Sequence, residues 1–218
     1  DMKFAIACYL RLADELGADA KKYDFGIMLT SDEEIGGFNG VEYLLKKGYS
    51  TEFVFLPDGG MNWQVELGAK GMWHVDVAVR GKTAHAAHPW HGENAIMIFF
   101  RFLQDVEREF GVPDCDGTRH YHDTLTVTRI TGGEAHNQVP GTVQASINIR
   151  YIPERSKKVL EERIKRVMKK YPGVSWTERV HGHAWLTDVS HPFIKEYKTI
   201  AGKHHIAIGE TFSHGSSD

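Results

Sequence analysis

Cysteine is scarce in this chain, which has only two cysteines among its 218 residues. Cys8 and Cys115 are far apart in the sequence. Two distant cysteines cannot supply a disulfide scaffold for a chain of this length. We therefore expect both to be unpaired thiols in a reducing compartment, which predicts a cytoplasmic protein.

The sequence also lacks long apolar runs and an excess of charge of either sign. No segment approaches the roughly 18 consecutive apolar residues that a membrane-spanning helix needs. The formal net charge is −3, with acidic and basic residues interspersed, which argues against nucleic-acid binding. Because 41% of the residues are hydrophobic, the composition predicts a globular protein with one large domain or two small ones.

The first 60 residues alternate between helical and strand patterns. Apolar residues spaced along one face predict an amphipathic helix from Met2 to Leu16. A buried strand is predicted from Phe25 to Thr30, a helix from Phe38 to Lys47, and a second strand from Glu52 to Leu56. This alternation is typical of an α/β domain with a parallel sheet.

The pattern changes near Lys70. Residues Trp73 to Arg80 alternate apolar and polar side chains, as in an antiparallel strand with one exposed face. The elements predicted after it are a helix from Glu93 to Phe110, strands at Thr124 to Ile130 and Thr142 to Tyr151, a helix from Glu154 to Lys170 and a strand from Val174 to Val180. The order β-α-β-β-α-β predicts a ferredoxin-like domain.

We therefore predict an α/β protein in which the ferredoxin-like domain, residues 70–180, is inserted into a catalytic domain. The catalytic domain would comprise residues 1–69 and 181–218, with a helix from Pro192 to Ala201 in its second part. Its parallel sheet would be partial, since few strands are predicted there.

Acidic residues lie at the ends of predicted strands or in the adjoining loops: Asp1, Glu33, Glu34 and Asp58. The carboxyl ends of parallel strands meet at one edge of a sheet, where open α/β proteins bind ligands. Convergent carboxylates repel one another, and bound metal ions would relieve that repulsion. The residues alone leave simpler explanations open, because Ser31 or Asp32 could cap a helix and Asp58 could be a turn residue.

Two segments resemble the signatures of a known family. Asp1-Met2-Lys3 and Ser31 to Gly37, which reads SDEEIGG, are similar to motifs of the co-catalytic zinc hydrolases. That family includes acetylornithine deacetylase, succinyl-diaminopimelate desuccinylase, aminoacylase and glutamate carboxypeptidases. The resemblance implies that Asp1 bridges two zinc ions, Glu33 is the general base and Glu34 is a metal ligand. Asp58, which follows Glu34 by 24 residues, matches a further carboxylate ligand.

The inserted domain resembles the family's lid and dimerisation segment. Residues Gly81 to Pro89 read GKTAHAAHP. The resemblance implies that His85 reaches the active site of a neighbouring subunit and polarises the scissile carbonyl, and that the protein is a homodimer through this domain. We interpret His88 and His91 as ordinary surface residues.

Three more residues match substrate-contacting segments of the family. Asn137 and Arg150 become candidate substrate ligands, and Ser217 lies in a turn that resembles the family's Gly-x-Ser-Asp turn. An arginine suits a substrate carboxylate because its planar fork binds both oxygens. A solvent-facing strand residue remains an equal alternative for Arg150, and a structural turn remains an alternative for Ser217.

The family's histidine metal ligands are missing from these 218 residues, since one lies upstream of Asp1 and another lies downstream of Asp218. We therefore expect an internal fragment or truncated form of a longer enzyme. Zinc prefers nitrogen among its four ligands, so this chain should bind metal weakly or not at all and be inactive by itself.

The sequence thus predicts a metallohydrolase that cleaves the amide bond of an N-acyl amino acid or a short peptide. Its cofactor would be two zinc ions, with cobalt or manganese as alternatives, and Glu33 would deprotonate a zinc-bridged water. We expect no nucleic-acid or membrane partner. Two alternatives stay open: a non-catalytic dimerisation or binding module, and an amino- or carboxypeptidase of the same fold.

Overall fold

The computed structural model describes residues 3–57, 64–111 and 121–215. The helices in this part of the chain are α1 (Lys3–Leu16), α2 (Val41–Lys46), α3 (Ala95–Phe110), α4 (Lys157–Met168) and α5 (Pro192–Lys203). The strands are β1 (Val65–Ala69), β2 (Gly71–Arg80), β3 (Ala84–His85), β4 (Thr124–Gly132), β5 (Gln138–Val139), β6 (Thr142–Tyr151), β7 (Val174–Gly182), β8 (Trp185–Leu186) and β9 (Glu210–Ser213). None of the described helices has the length and apolar character that a membrane crossing requires.

The chain divides into two compact units. The first comprises Asp1–Val65, Tyr197–Gly209 and Ser217–Asp218, and the second comprises Glu66–Glu196 and Glu210–Ser216. The domain limits expected from the sequence, 1–69 with 181–218 and 70–180, remain predictions.

The second unit contains a four-stranded antiparallel sheet in the order β4-β6-β2-β7. The central strands β2 and β6 pair over their whole length, from Gly71 opposite Tyr151 to Arg80 opposite Thr142. Helix α3 connects β2 to β4 and α4 connects β6 to β7, so each helix links two parallel strands that have an antiparallel strand between them. This is the split β-α-β arrangement, and the ferredoxin-like prediction is confirmed.

Alternation along the two central strands places their apolar side chains on the face that α3 and α4 cover. In β2, every second residue from Trp73 to Val79 is buried. The other buried residues of this core include Val143, Ala145, Ile147 and Ile149 of β6, Phe99, Phe102, Val106 and Phe110 of α3, and Leu160, Ile164 and Val167 of α4. Each large apolar side chain contributes about 1.5–3 kcal/mol when fully buried. The opposite face of the sheet is therefore left to polar residues.

Local capping sets where the helices begin. The Oδ1 atom of Asn94 accepts hydrogen bonds from the backbone N–H groups of Ile96, at 3.0 Å, and Met97, at 3.2 Å. Helix α3 consequently begins at Ala95, two residues after the expected start. Ser156 caps α4 in the same way. These caps satisfy donors that the first helical turn leaves without a partner.

Two strand assignments in the first unit are wrong. Residues 24–30 and 53–57 adopt no strand, because within the described chain no neighbouring strand pairs with them. A strand is stabilised by hydrogen bonds to a neighbour, and an apolar pattern alone does not supply one. Phe25, Leu29 and Val54 remain 47%, 58% and 70% exposed. The α/β class is confirmed, but these residues do not themselves build a parallel sheet.

The second unit also contains a small sheet that the sequence did not indicate. Its order is β8-β1-β9, and β1 pairs with β8 in antiparallel register, with Gly68 opposite Leu186. Two of these strands have four residues or fewer, which is too short for a period of two to be recognised in the sequence.

Candidate functional site

His85 lies at the end of β3, whose two residues pair with β5. Its side chain is exposed, and its Nδ1 atom accepts a hydrogen bond of 3.1 Å from the backbone N–H of Ala87. A ring nitrogen that accepts a hydrogen bond carries no proton, so neutral His85 holds its proton on Nε2. The turn therefore presents an N–H donor to the surroundings.

The loop that carries His85 is closed at its base by paired backbone. Lys82 and Glu93 exchange two backbone hydrogen bonds, of 2.9 and 2.8 Å. Glycine is required on both sides of this closure, because a Cβ at Gly81 would lie 2.1 Å from the Glu93 carbonyl oxygen and one at Gly92 would lie 2.7 Å from that of Lys82. The close approach of the backbones holds the loop in one conformation.

Asn137 is brought next to His85 by the same short sheet. The backbone N–H of Ala86 donates to the carbonyl oxygen of Asn137 at 2.8 Å, and Gln138 lies opposite His85 in the β3–β5 register. Two residues that are 52 positions apart in the sequence thus share one exposed edge. Of the candidate site residues in the second unit, these two are directly juxtaposed.

Exposed rings surround His85 on this loop. The His88 ring centroid is 5.9 Å from that of His85 and 5.4 Å from that of Trp90, which it meets edge to face. The indole N–H of Trp90 donates to Nε2 of His91 at 3.2 Å. The interpretation of His88 and His91 as surface residues is confirmed, since both are exposed.

Arg150 lies on the polar face of the four-stranded sheet. Its Nε donates to Oδ1 of Asn148 at 3.2 Å, and Nδ2 of Asn148 lies 2.7 Å from Nε2 of His74. Burial lowers the pKa of the Arg150 guanidinium. Burial, followed by the nearby charge of Arg150, lowers the pKa of His74. Within residues 3–57, 64–111 and 121–215, Arg150 forms no ion pair with a carboxylate.

Glu33 and Glu34 lie in a single 3-10 turn, Glu33–Ile35, that ends at Gly36 with φ 103°. Glu33 is half-buried and Glu34 is exposed. The preceding Asp32 does not cap this turn; its Oδ2 atom accepts the backbone N–H groups of Asn39 and Gly40 at 2.8 and 2.9 Å. Asp32 therefore holds the loop that leads into α2, and the two glutamates stay outside that bonding.

The other acidic candidates, Asp1 and Asp58, lie outside the described residues, as does Ser217. Among the residues that the structure describes, no three His, Cys, Asp or Glu side chains are grouped closely enough to hold a metal ion. Glu34 is the one predicted ligand in that part of the chain, and a single carboxylate does not make a zinc site. The described residues by themselves do not fit a metal centre, and the ligand set remains a prediction.

Comparisons with known proteins identify the family of this chain. Residues 67–174 match the M20 family model that is described as the peptidase dimerisation domain. The chain is 26% identical over 204 residues to a succinyl-diaminopimelate desuccinylase of Pelagibacter ubique, covering 86% of this chain and 52% of that protein. It is 32% identical over 164 residues to a Mycobacterium tuberculosis protein provisionally named as the same enzyme, covering 72% and 44%. This chain belongs to the M20 peptidase family.

Solved structures of two peptidases share the fold. An aminopeptidase PepT from Bacillus cereus matches with a TM-score of 0.68 and 22% identity, over 86% of this chain and 50% of that one. A tripeptidase from Staphylococcus aureus matches with a TM-score of 0.67 and 20% identity, over 84% and 49%. The chain spans about half the length of the M20 relatives that it matches.

The sequence did not reveal the hydrogen-bond partners of His85 and Arg150. The N–H of Ala87 is a backbone group, which no side-chain pattern reveals. Asn148 and His74, which connect Arg150 to the neighbouring strand, are 74 residues apart. Their alternation with buried residues in β6 and β2 is the signal that could have placed them on one polar face.

Proposed function

We propose that the protein containing this chain is a metal-dependent hydrolase of the amide bond in an N-acyl amino acid or a short peptide. Glu33 is the general base that takes the proton from the attacking water and passes it to the leaving amine. Support comes from the family membership and from the names of the relatives, which include desuccinylases and peptidases.

The observation that carries the proposal is the hydrogen bond from the Ala87 N–H to Nδ1 of His85. It leaves the Nε2–H of an exposed imidazole as a donor on a loop with a closed base. Such a donor can polarise a carbonyl oxygen and then stabilise the negative charge that develops on it. In this proposal, His85 acts on a substrate bound in the partner subunit, and Asn137 beside it contacts the same substrate.

Arg150 has the properties of a carboxylate-binding residue. Its guanidinium is partly desolvated, and it lacks an acidic partner within the described residues. A charged group in that state gains from a carboxylate that supplies two acceptor oxygens. We assign to Arg150 the free carboxylate of the substrate, and to Ser217 a contact from the turn near the end of the chain.

The metal ligands in this proposal are Asp1, Glu34 and Asp58, together with residues beyond this chain, and the metal is zinc, with cobalt or manganese as alternatives. Such a centre lowers the pKa of a bound water toward about 7. The two adjacent glutamates lie in different environments. Exposed Glu34 can reach a metal ion that other residues also bind, and half-buried Glu33 is left to act as the general base.

A homodimer through the second unit follows from the need to bring His85 to another subunit. Strand β4 is an edge strand of the sheet. Within this strand Ile130 is 46% exposed, and α3 exposes Met97 and Phe100 at 48% each. An edge strand next to apolar side chains favours pairing with another chain. We propose that two copies meet along β4 and α3.

The test of the function is the substitution Glu33→Ala in the full-length protein. We expect turnover of N-acyl amino acids or of di- and tripeptides to fall about 10²–10⁴-fold, because general base catalysis contributes on that order. Metal content, measured on the same preparation, should stay at the wild-type level.

Asp32→Ala is the matched control at the neighbouring position, since the Asp32 carboxylate accepts backbone N–H groups of the loop before α2. Its expected effect is a lower melting temperature. Wild-type turnover in the Glu33→Ala protein would remove Glu33 from the mechanism. A wild-type protein that hydrolyses neither substrate class, with or without added metal, would support the binding-module alternative.

A further inference from the structure

The polar face of the four-stranded sheet carries two arginines that β-bulges place there. The register of β4 against β6 shifts between Val127 and Arg129, and that of β7 against β2 shifts next to Arg179. A bulge changes which face the following side chain occupies. After the shifts, Arg129 lies opposite Ser146, and Ser146 lies opposite Asp76.

A shallow pocket opens on this face. Its polar lining includes Asp76, Arg129, Thr131, Gln144, Ser146 and Arg179. Ala78 lies on the central strand β2 between Gln144 and Ser175. Ala78 contributes only a methyl group to the pocket, while Asp76 on the same strand and longer side chains on the neighbouring strands supply its polar lining.

The charges around the pocket do not cancel. Asp76 accepts hydrogen bonds from Arg179 Nε and from Ser146 Oγ, the latter at 2.9 Å. The bond from Arg179, then that from Ser146, lowers the pKa of the Asp76 carboxyl. Asp76 is therefore ionised at neutral pH and compensates one of the two arginines.

Arg129 is the second cation of the pocket. It is exposed, and its charge also contributes to the lowered pKa of Asp76, but it forms no hydrogen bond or ion pair with a carboxylate in the part of the chain that the structure describes. Next to it, Thr131 lies directly opposite Gln144 and adds a hydroxyl and an amide that can donate hydrogen bonds. One positive charge, with neutral donors beside it, remains for a ligand.

We propose that this pocket is a binding site for a small molecule with a carboxylate group, which Arg129 holds and which Thr131 and Gln144 assist. The guanidinium fork matches a carboxylate with two parallel hydrogen bonds. Asp76 disfavours a doubly charged anion such as phosphate, because one net positive charge cannot compensate two negative ones. The pocket has no lining residue in common with the exposed edge that carries His85 and Asn137, and the inference does not rest on the proposed hydrolase function.

The experiment is an NMR titration of the isotope-labelled full-length protein with acetate, at constant ionic strength maintained with chloride. We expect saturable shifts of the backbone amides of Ala78, Gln144 and Thr177. Arg129→Ala should weaken the apparent affinity about tenfold or more, because a hydrogen bond to a charged group contributes on that order. Arg101→Ala removes an equal charge from the exposed side of α3 and should leave the affinity unchanged.

Asp76→Asn is a second test, in which the affinity for acetate should increase. It removes a like charge from the pocket and releases Arg179, so acetate should bind more tightly than in the wild type. Shifts that do not saturate, or an equal loss of affinity in the Arg129→Ala and Arg101→Ala proteins, would overturn the proposal in favour of general charge attraction. Thermal unfolding of each variant establishes that it is folded.

Discussion

The chemistry of His85 depends on a neighbour two residues away. An exposed imidazole without a partner would exchange between two tautomers, and only one of them would present a donor at Nε2. The backbone N–H of Ala87 selects that tautomer by donating to Nδ1. Because a backbone group makes the selection, substitution of Ala87 by other residues should preserve it, whereas proline would remove the donor.

The first prediction at this scale concerns His85→Ala in the full-length protein. If His85 stabilises the oxyanion in the partner subunit, kcat should fall about 10²–10³-fold, as for the loss of one oxyanion donor. His88→Ala, three residues along the same loop, is the control and should change kcat by less than about threefold. Similar losses in both variants would indicate that the loop conformation matters and that the His85 imidazole has no specific role.

A second prediction concerns the buried Asp123, which is 2% exposed. Its Oδ1 accepts the backbone N–H of Ile152 at 2.8 Å, and its Oδ2 lies 3.0 Å from Nε of Arg155. Asp123→Ala should lower the free energy of unfolding by about 2–3 kcal/mol. This is below the 3–5 kcal/mol expected for a fully buried pair, because Arg155 is partly exposed to water.

Glu109→Ala is the surface comparison for Asp123, since Glu109 pairs with the exposed side chain of Arg166. Chemical denaturation should show a loss of no more than about 1 kcal/mol for this variant. Equal losses for the two variants would mean that burial does not distinguish the two ion pairs.

At the scale of elements, the two edge strands of the ferredoxin-like sheet, β4 and β7, differ in how readily another strand could pair with them. Strand β7 carries a bulge beside Arg179, and its Glu178 pairs with Lys157 of α4. Charges and bulges discourage a second strand from pairing at an edge. Strand β4 has a bulge and Arg129 of its own, but it also exposes Ile130, while α3 exposes Met97 and Phe100. This apolar surface favours β4 as the side at which two copies meet.

The prediction for this element is that Phe100→Glu converts the proposed dimer to a monomer. A buried, unpaired carboxylate in the interface would cost several kcal/mol. Val159→Glu on α4 is the matched control, because Val159 is 43% exposed and Phe100 is 48% exposed. Light scattering after gel filtration, at equal protein concentrations, measures the outcome. A Phe100→Glu protein that stays dimeric would place the interface elsewhere.

For the whole molecule, the two compact units differ in how completely their apolar residues are buried. The ferredoxin-like unit has a continuous core between its sheet and two helices. In the first unit, Phe25, Leu29, Val54 and Phe55 each expose about half or more of their surface. Exposed apolar surface of this kind favours association with other polypeptide. The chain spans about half the length of its M20 relatives.

The prediction at this scale is the metal content of a polypeptide with these 218 residues. After exposure to zinc and gel filtration, we expect fewer than two tightly bound ions per chain, since the described residues contain no cluster of three ligands. The full-length protein, treated identically, should retain about two, as proposed above for the dinuclear centre. Two tightly held ions in the shorter polypeptide would mean that other groups, such as His214 or a partner chain, complete the site.

The sequence by itself determined the ferredoxin-like unit, because its elements are long and strongly periodic. Alternation in Trp73–Val79 predicts β2 directly, and the helix that is predicted from Glu93 begins two residues later, at Ala95. The motif around Glu33 and Glu34 likewise predicted the family, since a short motif needs no knowledge of distant contacts.

Only the tertiary structure decided which apolar segments become strands and which site residues meet. Residues 25–30 have the pattern of a strand, but no strand among the described residues pairs with them, and a β-strand exists only with such a neighbour. The meeting of His85 with Asn137 depends on β3 and β5, which have two residues each and carry no periodic signal. Long-range pairing brought these residues together, and local sequence cannot specify it when the paired segments are this short.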